Sequence, residues 1–229
     1  MSSFSSLTES QFKNILLDSL KQDPLIDRAV LMIIYFFNHF KDKNKGLIMS
    51  CQIGSLGLAH VFIVQGADNW NEGLRGACLG GPHRKYHIEL VLLMIKKGAN
   101  DLGWGLYGAC IMGHKEIVLL LIENKVHDWD FGLQGACRGG QKELALLMIE
   151  NGANDFDWGL HFACEGGHIE LVLLLNEKGA NNWGEGLIGS CEGGQKELAL
   201  LMIEKDKDTK SIPDENLNLF KHTFKIENY

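Results

Sequence analysis

The chain has 229 residues, long enough to bury a substantial core as one large domain or two small ones. With 45% apolar and 22% charged residues it has the composition of an ordinary folded protein, and only three prolines leave little room for disordered or polyproline segments. A net charge of −7 argues against nucleic acid as the main partner, since phosphate recognition calls for a basic face, and suits a protein partner with a basic segment.

The N-terminal stretch MSSFSSLTESQFKN lacks both a basic start and an apolar run, so no secretory leader is expected. The most apolar run, AVLMIIYFF over 29–37, is far short of the roughly 20 residues that cross a bilayer. No membrane partner is expected, and the expected compartment is the cytoplasm. Residues 7–45 read as a degenerate N-terminal capping unit with helices over 8–21 and 24–40. Pro24 stands at a helix start with Asp23 ahead of it as a cap.

A Gly-Leu pair then recurs at Gly46, Gly73, Gly105, Gly132, Gly159 and Gly186, in steps of 27, 32, 27, 27 and 27 residues. A fixed period of this size is the signature of a solenoid. The repeats are 46–72, 73–104, 105–131, 132–158, 159–185 and 186–212, all within a single repeat domain over 1–229. The long step contains a basic and aromatic insertion, Pro82, His83, Arg84, Lys85 and Tyr86, placed on the loop between two helices. It is either a mark of the binding face or a tolerated insertion.

Each unit reads as two helices, such as 159–165 and 168–178. The second is apolar on nearly every face, as for a helix between two neighbouring copies. Gly166 and Gly167 divide the pair, and Gly179 ends the second helix where a left-handed residue is needed. No alternation of period two is sustained, so strands are excluded. After 212 the repeat is abandoned, with Asp206 and Lys207 in place of the usual Gly-Ala. A capping helix is expected within 213–229, over about 214–225, laying Leu217, Phe220 and Phe224 on the last repeat.

Leu160, His161, Ala163, Cys164, Gly167, His168, Glu170, Val172, Leu174, Leu175, Gly179 and Ala180 stand in the order and spacing of the ankyrin repeat. The chain resembles that family, with a match over about 22 consecutive residues that recurs along the array. Ankyrin repeats run to about 33 residues. Those missing here lie between GAN and the next GL, where ankyrins build a β-hairpin, so a tight turn is expected instead. Hairpin-shortened arrays with this phrasing are similar to those of large DNA viruses of amoebae, which implies a viral protein acting on a host protein in the host cytoplasm. The fold expected is an all-α, ankyrin-like α-solenoid of helix-turn-helix repeats, with shortened or absent β-hairpins and capping helices at both ends.

Catalytic words are missing. Cys51, Cys78, Cys110, Cys137, Cys164 and Cys191 all hold one repeat position, the second alanine of the ankyrin pattern, so a buried apolar role is expected. Helices packed about 8–10 Å apart do not bring neighbouring copies within the roughly 7 Å that a disulfide needs. No C-x-x-C occurs, each unit offers one cysteine, and His161 and Cys164 share a helix face in one unit only. No cofactor or metal is expected. The glycine pairs do not follow strands and lack a P-loop lysine, so they read as helix punctuation.

Three residues before each anchor glycine stand Trp70, Leu102, Trp129, Phe156 and Trp183. One residue before stand Glu72, Trp104, Phe131, Trp158 and Glu185. These rings either stack along the edge as glue between turns, the preferred reading, or form a row of binding anchors. Asp68, Glu72, Asp101, Asp128, Asp130, Asp155, Asp157 and Glu185 make the same turns acidic, either as a solvated edge or as a dock for a basic segment. The copies differ after the anchor leucine, at Ile48, Arg75, Tyr107, Gln134, His161 and Ile188. They differ again after the cysteine, at Gln52, Leu79, Ile111, Arg138, Glu165 and Glu192. The ankyrin resemblance implies that these first-helix positions line a concave binding face. Leu92, Leu119, Leu146, Leu173 and Leu200 stand where ankyrins are usually polar, giving a ridge that is either covered by altered stacking or available for self-association.

The function expected is non-enzymatic: an adaptor or inhibitor binding another protein through its concave face, monomeric in solution. The alternative is a structural protein that self-associates through the leucine ridge.

Overall fold

The structure is a computed structural model that describes residues 42–80, 84–207 and 210–226, and the side chains of all these except 84–86. The helices expected over 8–21 and 24–40, the apolar run over 29–37, and Pro82 and His83 of the insertion lie outside the described residues. Among the described residues there are thirteen α-helices and no strand. No helix among them is long and apolar enough to cross a membrane.

The contacts divide the chain into two compact units, 1–100 and 101–229. The first contains α1 (Lys43–Gln52), α2 (Leu56–Val64), α3 (Trp70–Leu79) and α4 (Arg84–Lys97). The second contains α5 (Leu102–Ile111), α6 (Lys115–Glu123), α7 (Trp129–Arg138), α8 (Lys142–Glu150) and α9 (Phe156–Gly166). It continues with α10 (Ile169–Glu177), α11 (Trp183–Glu192), α12 (Lys196–Lys205) and α13 (Asp214–Phe224). Within the first unit α1 contacts α2 and α3, and α3 contacts α4. Within the second, α5, α7, α9 and α11 each touch their own second helix, and α5–α7, α7–α9, α9–α11 and α11–α13 touch in succession. This is the all-α, solenoid-like stacking that the 27-residue period predicts.

The helices of a repeat end where the glycines were expected to end them. Gly167 follows α9 in the left-handed region at φ 79°, and Gly179 follows α10 at φ 108°. Their starts differ from expectation. The residue three before the anchor glycine is already helical, and an Asx residue stands just ahead of it, whose side chain caps the helix at Asp42, Asn69, Asp155 and Asn182. Asp155 accepts from the Trp158 amide at 3.3 Å, and Asn182 from that of Glu185 at 3.2 Å. Most of the stretch read as connecting turn is therefore helix, and the turn is tighter still. Similarly, Arg84, Lys85 and Tyr86 open α4 instead of lying in a loop.

The anchor glycine sits inside the first helix, where it lets that helix settle on the second. A Cβ at Gly186 would lie 2.5 Å from the Met202 sulfur. One turn later, a Cβ at Gly135 or Gly189 would collide with the carbonyl oxygen of Tyr107 or His161 on the preceding first helix. Successive first helices thus approach backbone to backbone. The core between them is narrow and apolar, with Leu133, Ala136, Cys137, Leu160, Ala163 and Cys164 fully buried.

At the C-terminus, Asp206 is where the repeat stops and also what turns the chain. Its carboxylate accepts from the amides of Ser211 at 2.7 Å and Ile212 at 3.1 Å, and from the Ser211 hydroxyl at 2.6 Å. That turn delivers α13 onto α11, with Phe220 fully buried and Leu217 and Phe224 half-buried. The expected C-terminal cap is present. Leu92, Leu119, Leu173 and Leu200 are exposed, and Leu146 is half-buried, so the ridge positions are largely uncovered.

Candidate functional site

The turns hold an arrangement that stands where a hairpin would. Asp130 Oδ1 accepts the amides of Asn154 and Asp155 at 2.8 and 2.9 Å, and Asp157 Oδ1 accepts those of Asn181 and Asn182 at 2.9 Å each. In the first unit Asn44 does the same for Asp68 and Asn69 at 2.8 and 3.1 Å, and Asn71 Oδ1 accepts the Asn100 amide at 2.8 Å. One Asx side chain, two residues before the anchor glycine, clasps the backbone that leads into the next repeat. Two of the eight acidic turn residues are therefore clasps, a third caps α9, and the edge is less free to receive a basic segment than its charge suggests. Sequence reasoning missed the clasp, although its signal was present: the same position reads Asn44, Asn71, Asp130 and Asp157, with glycine at 103 and 184.

Histidines provide a second tie between repeats. His168 Nε2 lies 3.1 Å from the Arg138 carbonyl, and His87 Nε2 lies 3.3 Å from that of Gln52. Both bonds run from the start of a second helix to the end of the preceding first helix.

The cysteines behave as apolar filler. All six are buried, and none forms a disulfide. Burial pushes the thiols of Cys51, Cys110, Cys137 and Cys164 up to about 12. Burial also raises that of Cys191, partly offset by a hydrogen bond with Thr223. A thiol so held is neither a nucleophile nor a ready metal ligand.

The positions that differ between copies converge in the second unit. Arg138 on α7 donates from Nη1 to the Tyr107 hydroxyl on α5 at 3.1 Å, and from Nη2 to Glu165 Oε1 on α9. The Tyr107 bond leads in pushing the Arg138 pKa up, with Glu165 contributing. The same guanidinium lies over the Phe162 ring, 5.9 Å from its centroid. Phe162 meets Tyr107, Trp158 and His161 at 6.2, 6.0 and 5.1 Å between ring centroids. Trp104 meets Tyr107 and Phe131 at 5.5 and 5.1 Å, and Trp158 meets His161 at 5.2 Å. His161 then reaches Glu192 on α11, with Nε2 3.3 Å from Oε2. A ladder of rings and charges thus crosses four successive first helices.

Within it, Trp104 and Trp158 are exposed at 42% and 45%, whereas Tyr107 is buried beneath Arg138. Tyr107 positions Arg138; it does not itself present a surface. Gln134 and Ile111 are half-buried on α7 and α5. Trp129 is half-buried over the glycine that follows α8, since a Cβ on Gly152 would meet its ring at 3.8 Å. Trp183 is buried, which removes it from a docking role. The rings three before the anchor therefore turn inward and those one before it turn outward. In the first unit Arg75 pairs with Glu72 at 3.7 Å, Lys97 lies over Trp70 at 5.9 Å, and Leu79 is half-buried.

Phe162 is the residue that sequence reasoning missed. Its position, three after the anchor glycine, is glycine at 76, 108, 135 and 189 and methionine at 49, so this one aromatic exception was visible in the alignment of the chain with itself. The chain matches no known family model and no curated protein.

Proposed function

We propose that the protein is a non-enzymatic member of the ankyrin-repeat family, an adaptor or inhibitor that binds another protein through the first-helix face of its second unit. The observation that carries this reading is the ladder from Trp104 to Glu192. Its members are the residues at which the copies differ, and rings beside an arginine are the side chains that dominate binding energy at interfaces. The face is held in advance by Tyr107, Glu165 and Phe162, so little side-chain freedom is left to lose on binding. Glu192 and the net charge of −7 favour a partner with a basic segment. Six buried thiols held as thiols accord with the cytoplasm, and the phrasing of the repeats accords with a viral protein that meets a host partner there.

The test is capture from cell lysate on immobilised full-length chain, against a Trp158→Ala, Arg138→Glu variant whose far-UV circular dichroism is unchanged. At least one partner should be depleted about tenfold on the variant, which is about 1.4 kcal/mol of binding energy and modest for interface residues of this type. Equal capture by both chains sinks the reading.

A second reading, self-association, is favoured by the exposed Leu119, Leu173 and Leu200. Light scattering after size exclusion decides it: a dimer that Leu173→Glu converts to monomer supports it, and a monomer at about 100 µM, a concentration that populates dimers of micromolar Kd, excludes it.

A further inference from the structure

His161, Glu165 and Glu192, at the end of that ladder, form a cluster that the repeat pattern does not explain. Each offers one donor atom, and the three atoms lie within 4.8 Å of one another. His161 and Glu165 stand one helical turn apart on α9, a spacing that places both on one face, and Glu192 comes from α11. Among the described residues, only the junction of 159–185 with 186–212 brings a histidine to two glutamates in this way.

The histidine's other nitrogen makes the arrangement informative. Nδ1 lies 3.2 Å from the main-chain oxygen of Glu185, and an oxygen of that kind only accepts. The Glu185 carboxylate stands 3.4 Å from the same nitrogen, so Nδ1 meets only acceptors there, and Nε2 is the nitrogen that faces Glu192, 3.3 Å away. Glu165 is paired with Arg138 through Oε1, and a metal ion would join its carboxylate to His161 and Glu192, which a proton on Nε2 would not do.

The spacing suits a metal. Bonds of about 2.0–2.1 Å to nitrogen and carboxylate oxygen in a tetrahedral site set donors about 3.3–3.4 Å apart, which is the separation of His161 Nε2 and Glu192 Oε2, and the third donor lies within 4.8 Å of both. The surroundings suit one too. A histidine that binds a metal commonly donates its other N–H to a carbonyl, as His161 does, and carboxylate ligands are commonly oriented by a hydrogen bond, as Arg138 orients Glu165 through Oε1. The His161 side chain is 8% exposed and that of Glu192 56%, so the group is anchored on one side and open to solvent on the other. One imidazole with two carboxylates is a donor set for a borderline divalent cation of the zinc class.

We infer that His161, Glu165 and Glu192 bind one such divalent transition-metal ion, with a fourth position left for water or a group from a partner. The inference goes beyond the docking reading and does not rest on it, because it concerns the isolated chain. The experiment uses full-length protein stripped with a chelator and titrated calorimetrically with zinc chloride, with cobalt(II) absorption as a second readout. One equivalent should bind and raise Tm. His161→Ala and Glu192→Gln should each weaken binding at least tenfold and abolish the Tm shift, whereas His127→Ala, outside the cluster, should change neither. Glu192→Gln alters an exposed side chain, so its folding is not at issue. Failure of the unmodified chain to bind zinc at millimolar concentration, or binding that survives both substitutions, overturns the inference and leaves an imidazolium–carboxylate pair.

Discussion

In the turns of the second unit, Asp130 and Asp157 each give one carboxylate oxygen to two backbone amides of the next repeat. Further along the same helices or their neighbours, Glu165 faces the Arg138 guanidinium and Glu192 the His161 ring. The two regions carry like charges and differ in what answers them. A backbone amide recurs with the fold, so a carboxylate that answers it can recur every 27 residues. A side-chain partner is particular to one junction, and the carboxylate that meets it serves that junction alone. Recurring positions hold the repeats together; singular ones distinguish one stretch of the surface from the next.

If this division is right, disturbing recurring positions costs stability and disturbing singular ones does not. The largest effect is expected from alkali. The thiols of Cys51, Cys110, Cys137 and Cys164 ionise at about 12 in the fold against 9.0 in the unfolded chain. Below pH 9 both states keep the proton and the contribution to stability is whole. Above it the unfolded chain ionises while the native one does not, so stability falls between pH 9 and 12, by about 1.4 kcal/mol per pH unit for each thiol. Far-UV circular dichroism should show cooperative unfolding inside that window, and Cys137→Ala with Cys164→Ala should move the midpoint to higher pH. A signal unchanged through pH 12 would show that the thiols are not sealed in.

Next in size is the close approach of the first helices. Gly135→Leu puts a side chain into the Tyr107 carbonyl and should cost about 3 kcal/mol, read as a lower urea midpoint. Phe162→Ala, on the singular side, removes a half-buried ring at a site where four of the other five copies manage with glycine, and should cost about 1 kcal/mol or less. A reversal of that order would break the division.

The period made the fold legible: the helix pairs, their order, the buried cysteines and the C-terminal cap at Phe220 all follow from residues that return on schedule. The helix starts were misplaced because an aromatic before a glycine resembles a turn, and only the Asx cap ahead of it shows that the helix has begun. Tyr107, Arg138, His161, Glu165 and Glu192 were legible as candidates because they vary. Their mutual contacts were not, since they depend on how closely neighbouring first helices approach, which the glycines permit but do not announce. Asp206 was visible as a departure, but its work in turning the chain appears only once Ser211 and Ile212 are seen beside it.

The smallest difference, that between alanine and asparagine at Asp157, separates geometry from charge in the turn. Asp157→Ala removes both bonds to Asn181 and Asn182 and should cost about 1–2 kcal/mol, within the range for charge-assisted hydrogen bonds near a surface. Asp157→Asn keeps an acceptor oxygen in place, as Asn44 does naturally in its own turn. It loses only the favourable placement of a negative charge in the first turn of α9, about 0.5 kcal/mol at low salt. Paired urea titrations at low and high salt distinguish the two contributions, because added salt should erase the asparagine deficit and leave most of the alanine deficit. Should asparagine cost as much as alanine at every salt concentration, the clasp would be a matter of charge, and the exchange of Asn44 and Asn71 for Asp130 and Asp157 along the chain would need another explanation.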